Sequence, residues 1–321
     1  MRIQALISLL SDRHIHSGES LAQQLGVSRT AVWKQVRKAQ DEGYVIETIR
    51  GRGYRLLSSV DLLEKEAVLA DLAPELRSAV HLTVLDEVDS TNAEVLRRWP
   101  DAGSAMPVCL ADCQTAGRGR RGHAWQSPKG ENLYLSLGLT FHGGFALLDG
   151  LSLVLGVAVA DTLEQLGATN VGLKWPNDIF IGERKLGGIL VELQGELQEG
   201  IVQVIVGIGV NVHMTRAELV DQPWTSLAAA FPDRSWGRNQ LAAALIQAVQ
   251  ACTSVFARQG FHAFRPAWQA RDIHFGKSLR ARQGQLEGVG AGIDDAGNYL
   301  LRTDDGLVPV RSGEISLRVV S

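Results

Sequence analysis

Apolar residues recur at helical spacing through residues 1–40. Leu6 and Leu10 lie on one face of a predicted first helix, and a short second helix is predicted over residues 21–25. Gly26 is expected to end the second helix, because glycine readily adopts the left-handed conformation found at helix ends. A third helix is predicted over residues 29–39, which gives the segment helix-turn-helix spacing.

Two β-like runs follow the third helix, at residues 44–49 and 53–57, on either side of Arg50-Gly51-Arg52. They predict a hairpin wing with two arginines at its tip. We call residues 1–60 the head. DNA binding is the expected function of the head, and the alternative is a three-helix domain used only for protein contacts. The residues expected to meet DNA bases or phosphates are Ser28, Arg29, Thr30, Trp33, Lys34, Arg37, Arg50 and Arg52.

From Val80 onward the pattern alternates between strands and helices. A long apolar helix is predicted over residues 149–166, an amphipathic helix over residues 239–258 and a short one over residues 261–271. Strands are predicted at 81–85, 108–111 and 132–139, in two parts of 171–181 broken at a Pro176-Asn177-Asp178 turn, and at 184–192 and 201–211. After residue 273 all predicted elements are strands, at 277–281, 286–293, 299–301, 308–310 and 314–318.

Composition and charge indicate the class of protein and one of its binding partners. The chain of 321 residues is 45% hydrophobic and 21% charged, as in ordinary soluble globular proteins. No apolar run approaches the ~20 residues that span a bilayer, so we expect a cytoplasmic protein without a membrane partner. Residues 1–60 hold nine basic and five acidic side chains, whereas the whole chain has a net charge of −3. A basic head on an acidic body favours nucleic-acid binding by the head.

The most unusual loop covers residues 114–122, where three arginines lie among three glycines. Glycine lets a backbone approach a ligand closely, and arginine offers a fork of donors suited to carboxylate or phosphate oxygens. The glycines formally match a dinucleotide-binding pattern, but that pattern opens a helix, whereas residues 132–139 have strand alternation. The loop therefore predicts an anion site of another kind; a solvated basic loop is the alternative.

Five short motifs in a fixed order carry a family resemblance. They are Ser90-Thr91-Asn92, the loop at 114–122, Lys174-Trp175-Pro176-Asn177-Asp178, the run from Lys185 to Glu192, and the run from Gly207 to Asn211. Together with the helix-turn-helix head, they resemble the bifunctional biotin protein ligases, which also repress the biotin operon. The resemblance runs from residue 1 to residue 321. It implies an α+β fold with a winged helix-turn-helix (residues 1–62), a central mixed-sheet α/β ligase domain (63–272) and a C-terminal SH3-like β-barrel (273–321).

The resemblance also implies a reaction and its residues. Biotin and Mg-ATP would form biotinyl-5′-AMP, and an acceptor lysine would then displace AMP. The implied catalytic residues are Lys185 and Arg120, which offset the repulsion between two anionic reactants. The implied biotin-binding residues are Ser90, Thr91, Asn92, Gln114, Arg118, Gly119, Arg120 and Lys185. The implied nucleotide-binding residues are Arg118, Arg121, Trp125, Asn177, Asp178, Asn211 and Trp224, and Asp178 is also the candidate Mg²⁺ ligand.

For single residues, purely structural interpretations stay open. Lys185 taken alone is a solvated hairpin lysine, Asp178 a turn residue and Trp224 a core aromatic. For the whole chain, the alternatives are a regulator that senses a small carboxylate without catalysis and a lipoate-type ligase. The implied partners are the biotin carboxyl carrier protein of acetyl-CoA carboxylase, operator DNA, and a second copy of the chain in a homodimer formed on ligand binding.

Overall fold

The computed structural model describes residues 3–12, 14–41, 44–57, 61–143, 148–198, 200–216, 220, 222–281, 286–311 and 318–319. Its internal contacts divide the chain into two compact units, Met1–Leu62 and Leu63–Ser321.

The first unit is a winged helix-turn-helix, as predicted. Its helices are α1 (Ile3–Leu10), α2 (Gly18–Leu25) and α3 (Arg29–Asp41), and its wing is the antiparallel pair β1 (Ile46–Ile49) and β2 (Gly53–Leu56). Gly26 ends α2 with φ 64°, and its N–H bonds the carbonyls of the last turn. Leu6, Leu10, Leu21 and Val36 are buried, so the helices pack through the faces that the sequence pattern indicated.

The second unit is built on a mixed sheet of seven strands. Its order is β3-β4-β5-β9-β8-β7-β6, in which β3 and β4 are parallel and all other pairs are antiparallel. The strands are β3 (Val80–Leu85), β4 (Met106–Ala111), β5 (Asn132–His142), β6 (Val171–Lys174), β7 (Asp178–Ile181), β8 (Arg184–Gln198) and β9 (Ile201–Asn211). The predicted turn is displaced by one residue, because Asp178 is already paired with Gly188 as the first residue of β7.

Helices pack against this sheet. They are α4 (Lys65–Asp71), α5 (Pro74–Ala79), α6 (Thr91–Arg98), α7 (Leu151–Gln165), α8 (Leu227–Ala230), α9 (Arg238–Gln259) and α10 (Arg265–Gln269). The single helix predicted at 261–271 is instead a 3-10 turn, Phe261–Ala263, followed by α10. Pro266 in the first turn explains the new start, because proline is favoured where a helix begins.

Helix α9 is long and apolar enough, by length and composition, to cross a membrane, and it is the one such helix among the described residues. Its residues Leu241, Leu245, Ile246 and Val249 are at most 2% exposed within the core of this unit. Helix α9 therefore packs as a core helix of this unit.

The C-terminal strands form a separate antiparallel sheet of five strands with the order β13-β12-β11-β10-β14. They are β10 (Ser278–Ala281), β11 (Leu286–Ile293), β12 (Tyr299–Thr303), β13 (Gly306–Val310) and β14 (Arg318–Val319). Most of the strand predicted at 314–318 lies outside the described residues. Closure into an SH3-like barrel, and a domain division after residue 272, stay predictions.

Candidate active site and DNA-binding face

A buried polar cluster lies where the chain enters α6. Ser90, Thr91 and Asn92 are 6%, 4% and 4% exposed. The backbone N–H and the hydroxyl of Thr91 donate to Oε1 of Gln114, at 2.9 and 3.1 Å. The hydroxyl of Ser136, on β5, lies 2.7 Å from Thr91 Oγ1 and 2.6 Å from Asn92 Oδ1. The cluster presents neutral donors and acceptors, which suit an uncharged polar group of a ligand.

Helix capping does not account for these side chains. Ser90 is the N-cap residue of α6, yet its side chain makes no capping hydrogen bond. Both ends of the Asn92 amide contact other protein groups, Ser136 at the oxygen and Glu192 Oε2 at the nitrogen, 2.6 Å away. Both polar groups of the Asn92 amide are therefore engaged within the protein.

The glycine-arginine loop, residues 114–122, folds back on itself beside this cluster. The N–H of Trp125 donates to the carbonyl of Gly117 at 2.9 Å, and the N–H of Ala116 donates to the carbonyl of Asp89 at 2.8 Å. These bonds bring the loop against the turn that precedes α6. Gln114 is fixed at its other end too, because its Nε2 donates to Ser127 Oγ at 3.0 Å.

Glycines on β8 and β9 leave the floor of the site without side chains. A Cβ atom at Gly209 would lie 2.7 Å from the indole ring of Trp125, and one at Gly207 would overlap Oδ1 of Asn92. A Cβ at Gly188 would lie 3.3 Å from Asp178 Oδ1. Glycine is needed here for close approach of neighbouring groups.

Lys185 stands at the edge of this floor. Its Nζ lies 2.8 Å from Asp178 Oδ1 and 5.5 Å from the centre of the Trp125 ring. The two side chains of the ion pair are only 16% and 19% exposed, so they are not a solvated surface pair. The backbone of Lys185 bonds on both sides to the segment around Trp224, through Pro223 O at 3.0 Å and Thr225 N at 2.9 Å.

Two arginines of the loop sit in different surroundings. Arg118 Nη2 lies 3.2 Å from Glu192 Oε1, and the same carboxylate accepts the bond from Asn92. Arg120 is more enclosed, and burial, aided by the neighbouring Arg121, lowers the pKa of its guanidinium. Because arginine has so high an ordinary pKa, Arg120 still carries its charge at neutral pH. An anion entering the site would therefore meet permanent positive charge.

The other residues predicted to bind nucleotide lie close to Arg120 and Lys185. Asn177 Nδ2 donates to the carbonyl of Ile189 at 2.7 Å, and its Oδ1 lies 3.4 Å from Arg120 Nη1. Asn211 is 5% exposed and holds the carbonyl of Thr225 at 3.0 Å, which fixes the segment that carries Trp224. Trp224 is itself partly exposed, so it is not simply a core aromatic.

The predicted site residues therefore fall into connected groups. Lys185 contacts Asp178 and faces Trp125, and Arg118 is linked through Glu192 to Asn92. Arg121 is exposed with φ 55°, and Gly119 bonds the carbonyl of His123 at the tip of the loop. Sequence reasoning missed Ser127, Ser136 and Glu192. Of these, only Glu192 had a signal, as the last residue of a quoted motif.

The predicted DNA-binding residues form an exposed face of the first unit. All eight are solvent-exposed: Ser28, Arg29, Thr30, Trp33, Lys34, Arg37, Arg50 and Arg52. Trp33 is 50% exposed, and the Arg37 guanidinium lies 5.6 Å from the centre of its ring. The Ser28 hydroxyl accepts the N–H of Ala31 at 3.2 Å, so it also caps α3.

Comparison with known proteins assigns the family. A bifunctional ligase/repressor BirA from Salmonella typhimurium is 39% identical over 317 residues, which cover 98% of this chain and 96% of that protein. The chain belongs to the bifunctional ligase/repressor family. Another BirA family member, from Bacillus subtilis, is 32% identical over 307 residues, covering 94% of this chain and 93% of that protein.

Three family models match in the family's order. An HTH domain model matches residues 2–55, the biotin/lipoate A/B protein ligase model residues 85–211, and the biotin protein ligase C-terminal domain model residues 274–318. A structure of biotin protein ligase from Aquifex aeolicus in complex with biotin and ATP is 30% identical, with a TM-score of 0.63. The match covers 75% of this chain and 99% of that one.

Proposed function

We propose that this protein is an ATP-dependent biotin protein ligase that also represses transcription from a biotin operator. The observation that carries the ligase function is the placement of Lys185 beside Asp178 and Trp125, at a floor formed by Gly188 and Gly209. That arrangement supplies positive charge and backbone space where two anionic reactants must meet. Membership of the family supports the same reading.

The first step joins biotin to the nucleotide. An oxygen of the biotin carboxylate attacks the α-phosphorus of ATP, the bond to the β-phosphate oxygen breaks, and pyrophosphate leaves. Both reactants are anionic, so the barrier contains their mutual repulsion and the charge that develops at phosphorus. Lys185 would exchange its contact with Asp178 for the carboxylate and α-phosphate oxygens. Arg120, and Arg118 once released from Glu192, would hold the remaining oxygens.

The second step transfers biotin to protein. The ε-amine of an acceptor lysine attacks the acyl carbon of biotinyl-5′-AMP, AMP leaves with the electrons of the carbon–oxygen bond, and the attacking nitrogen loses a proton to solvent. The same cations that favour formation of the mixed anhydride would hold it until the acceptor arrives. The proposed acceptor is the biotin carboxyl carrier protein of acetyl-CoA carboxylase, and we propose a cytoplasmic location for both proteins.

Recognition of biotin is assigned to the polar cluster. The ureido ring of biotin is neutral and has N–H donors and a carbonyl acceptor, which match Thr91, Gln114 and Ser136 in kind. Ser90 and the backbone of Gly119 complete the proposed biotin contacts, and Asn92 holds Ser136 in position. The adenosine part is assigned to Trp125, Trp224, Asn211, Asn177 and Arg121, with the two indoles as stacking surfaces.

Magnesium is proposed to arrive with ATP. Among the described residues, no group of three or more His, Cys, Asp or Glu side chains is placed to hold a metal ion. Asp178 offers one carboxylate, which fits an ion bound mainly by phosphate oxygens and water, as Mg²⁺ at nucleotide sites usually is. The ion would neutralise phosphate charge, while Asp178 also keeps Lys185 in position.

The test is exchange of labelled pyrophosphate into ATP, run with biotin, with lipoate and with neither. We expect exchange that depends on biotin and is at background with lipoate. Exchange supported by lipoate instead would establish the lipoate-type alternative. Absence of exchange, with biotin still bound, would establish a sensor without catalysis and would refute the ligase proposal.

The repressor function is assigned to the exposed basic face of the first unit. Arg29, Lys34, Arg37, Arg50 and Arg52 would contact phosphates or bases of an operator half-site. We propose that occupancy by biotinyl-5′-AMP promotes a homodimer, which would bind two half-sites. Leu193 and Ile201, which are 54% and 38% exposed at the far end of the β8–β9 hairpin, are apolar enough to contribute to such a contact.

Sedimentation and gel-shift measurements test this part. The chain should become dimeric and bind a biotin operator more tightly when biotin and ATP are added together. A Leu193→Glu variant should keep biotin-dependent exchange and lose the ligand-induced dimer. Equal operator affinity with and without biotin and ATP would refute the repressor proposal.

A further inference from the structure

A fully buried ion pair joins the residue that follows β4 to the first residue of α9. The Arg238 side chain is 0% exposed and that of Asp112 is 1% exposed, with 2.8 Å between Nη1 and Oδ1. The two residues come from distant parts of the chain. Asp112 directly follows β4, and Arg238 is the first residue of α9.

The pair joins the two ends of one long loop. Residues 112–131 connect β4 to β5, and this connection contains Gln114, Arg118, Arg120 and Trp125. Arg238 holds the start of the loop through the Asp112 carboxylate. The same Nη1 donates to the carbonyl of Asn132, where the loop ends, at 3.2 Å. A further bond, from the N–H of Gly130 to the carbonyl of Asp112 at 3.0 Å, draws the two ends together.

Asn132 extends this contact to the chain that directly follows β9. Its Oδ1 accepts the N–H of Val212 at 3.1 Å, and its Nδ2 lies 3.4 Å from the sulfur of Met214. One guanidinium thus fixes the base of the glycine-arginine loop directly and, through Asn132, contacts the chain that directly follows β9.

Local structure gives no reason for an arginine at this position. The first turn of a helix carries partial positive charge, which disfavours a cation, and the first turn of α9 contains no acidic residue. A buried ion pair is also weak grounds for a gain in stability, since apolar replacements are often as stable. A cation at the start of a helix is unfavourable for local structure, and such unfavourable residues are expected at functional sites.

We propose that Arg238 is a positioning residue of the ligase, which holds both ends of the 112–131 loop so that the loop stays closed over the bound adenylate. This inference rests on the proposed ligase function. The Arg238 side chain is fully buried, so it would contact neither reactant. Its effect passes through Asp112 and Asn132 to the loop that carries Arg118, Arg120 and Trp125.

Release of biotinyl-5′-AMP from the full-length chain tests the proposal. The adenylate is formed with labelled biotin and Mg-ATP, excess ligand is removed, and release is followed without acceptor. Arg238→Lys keeps the charge, but an ammonium on a flexible stem cannot reproduce the planar fork of donors. We expect release to be about tenfold faster, the equivalent of about 1.4 kcal/mol.

A second variant removes the pair without leaving a buried charge. Asp112→Leu combined with Arg238→Met should fold, because both members are replaced by apolar groups. It should show the same faster release, together with faster hydrogen exchange of the amides of Trp125 and Ala116. The matched control is Arg271→Lys, whose guanidinium holds Asp161 and Glu164 elsewhere in the same unit, and its release rate should be that of the wild type.

The outcomes separate the two proposals. If the wild-type chain forms no adenylate, the ligase proposal itself fails. If it forms adenylate but both variants release it at the wild-type rate, whatever their melting temperatures, Arg238 is only structural and the positioning role is wrong. A release rate raised equally by Arg271→Lys would also contradict it.

Discussion

Replacement of Gly117 by alanine probes how closely the proposed biotin site is packed. A Cβ atom there would lie 2.7 Å from Ser127 Oγ, 2.7 Å from the carbonyl oxygen of Trp125 and 2.9 Å from Gln114 Nε2. One of these atoms is backbone, so it cannot rotate away. The other two are joined by the hydrogen bond from Gln114 to Ser127, which also sets the position of the Gln114 oxygen against Thr91.

Overpacking of this kind costs about 1–3 kcal/mol. If that cost falls on the arrangement of Gln114 and Thr91 in the complex, biotin binding weakens by roughly 5- to 150-fold, since 1.4 kcal/mol is a factor of ten. The loop lies at the surface, so much of the strain can be relieved by displacing it. We therefore expect the KM for biotin to rise far more than the melting temperature falls.

Pyrophosphate exchange against biotin concentration gives that KM, and calorimetry gives the melting temperature. The matched control is Gly18→Ala in the first unit, where the nearest atom to an added Cβ is Tyr54 Cε2 at an ordinary 3.5 Å. Its KM for biotin should equal that of the wild type. A Gly117→Ala variant with KM within twofold of the wild type would refute the assignment of this polar cluster to biotin.

Three other predictions concern charge. Lys185→Met should lower the rate of adenylate formation by about 10²- to 10³-fold with the fold retained, measured by single-turnover quench, because a fixed charge at the reacting atoms is lost; a rate within tenfold of the wild type would contradict the role. Arg37→Gln should reduce the slope of log operator affinity against log salt by about one, whereas Arg258→Gln on α9 should not change it; equal slopes would remove Arg37 from the DNA contact. Burial lowers the pKa of His274 from 6.5 to about 4, so its contribution to stability is complete above pH 6.5 and is lost as the pH falls towards 4. The loss is at most about 3 kcal/mol, and His274→Phe should show a shallower decline in urea titrations between these pH values; parallel declines would exclude the buried imidazole as its source.

The head could be predicted from sequence because its signals are local. The spacing of Leu6 and Leu10 and the stop at Gly26 each act within a turn or two of helix. Helices α4 and α5 gave no comparable signal. Of their residues only Val68 is buried, so they present almost no apolar stripe.

The site was predictable only where a motif carried it. Arginines among glycines pointed to an anion, but nothing in residues 132–139 distinguished Ser136 from other positions of a strand. Its role depends on the position of β5 between β4 and β9, which places the hydroxyl against Thr91 and Asn92. The same holds for the Asp112–Arg238 pair, whose partners are far apart in sequence and meet only through packing of α9.

On the proposed function, this site makes and keeps a carboxyl–phosphate anhydride. The direct measurement is the mass and amount of ligand retained after the purified chain is mixed with biotin and Mg-ATP and passed through a desalting column. We predict close to one equivalent of biotinyl-5′-AMP per chain, with matching release of pyrophosphate, and far less for Lys185→Met when both are stopped as soon as the wild type is complete. Recovery of unchanged biotin and ATP, with no anhydride on the wild-type chain, would contradict the account.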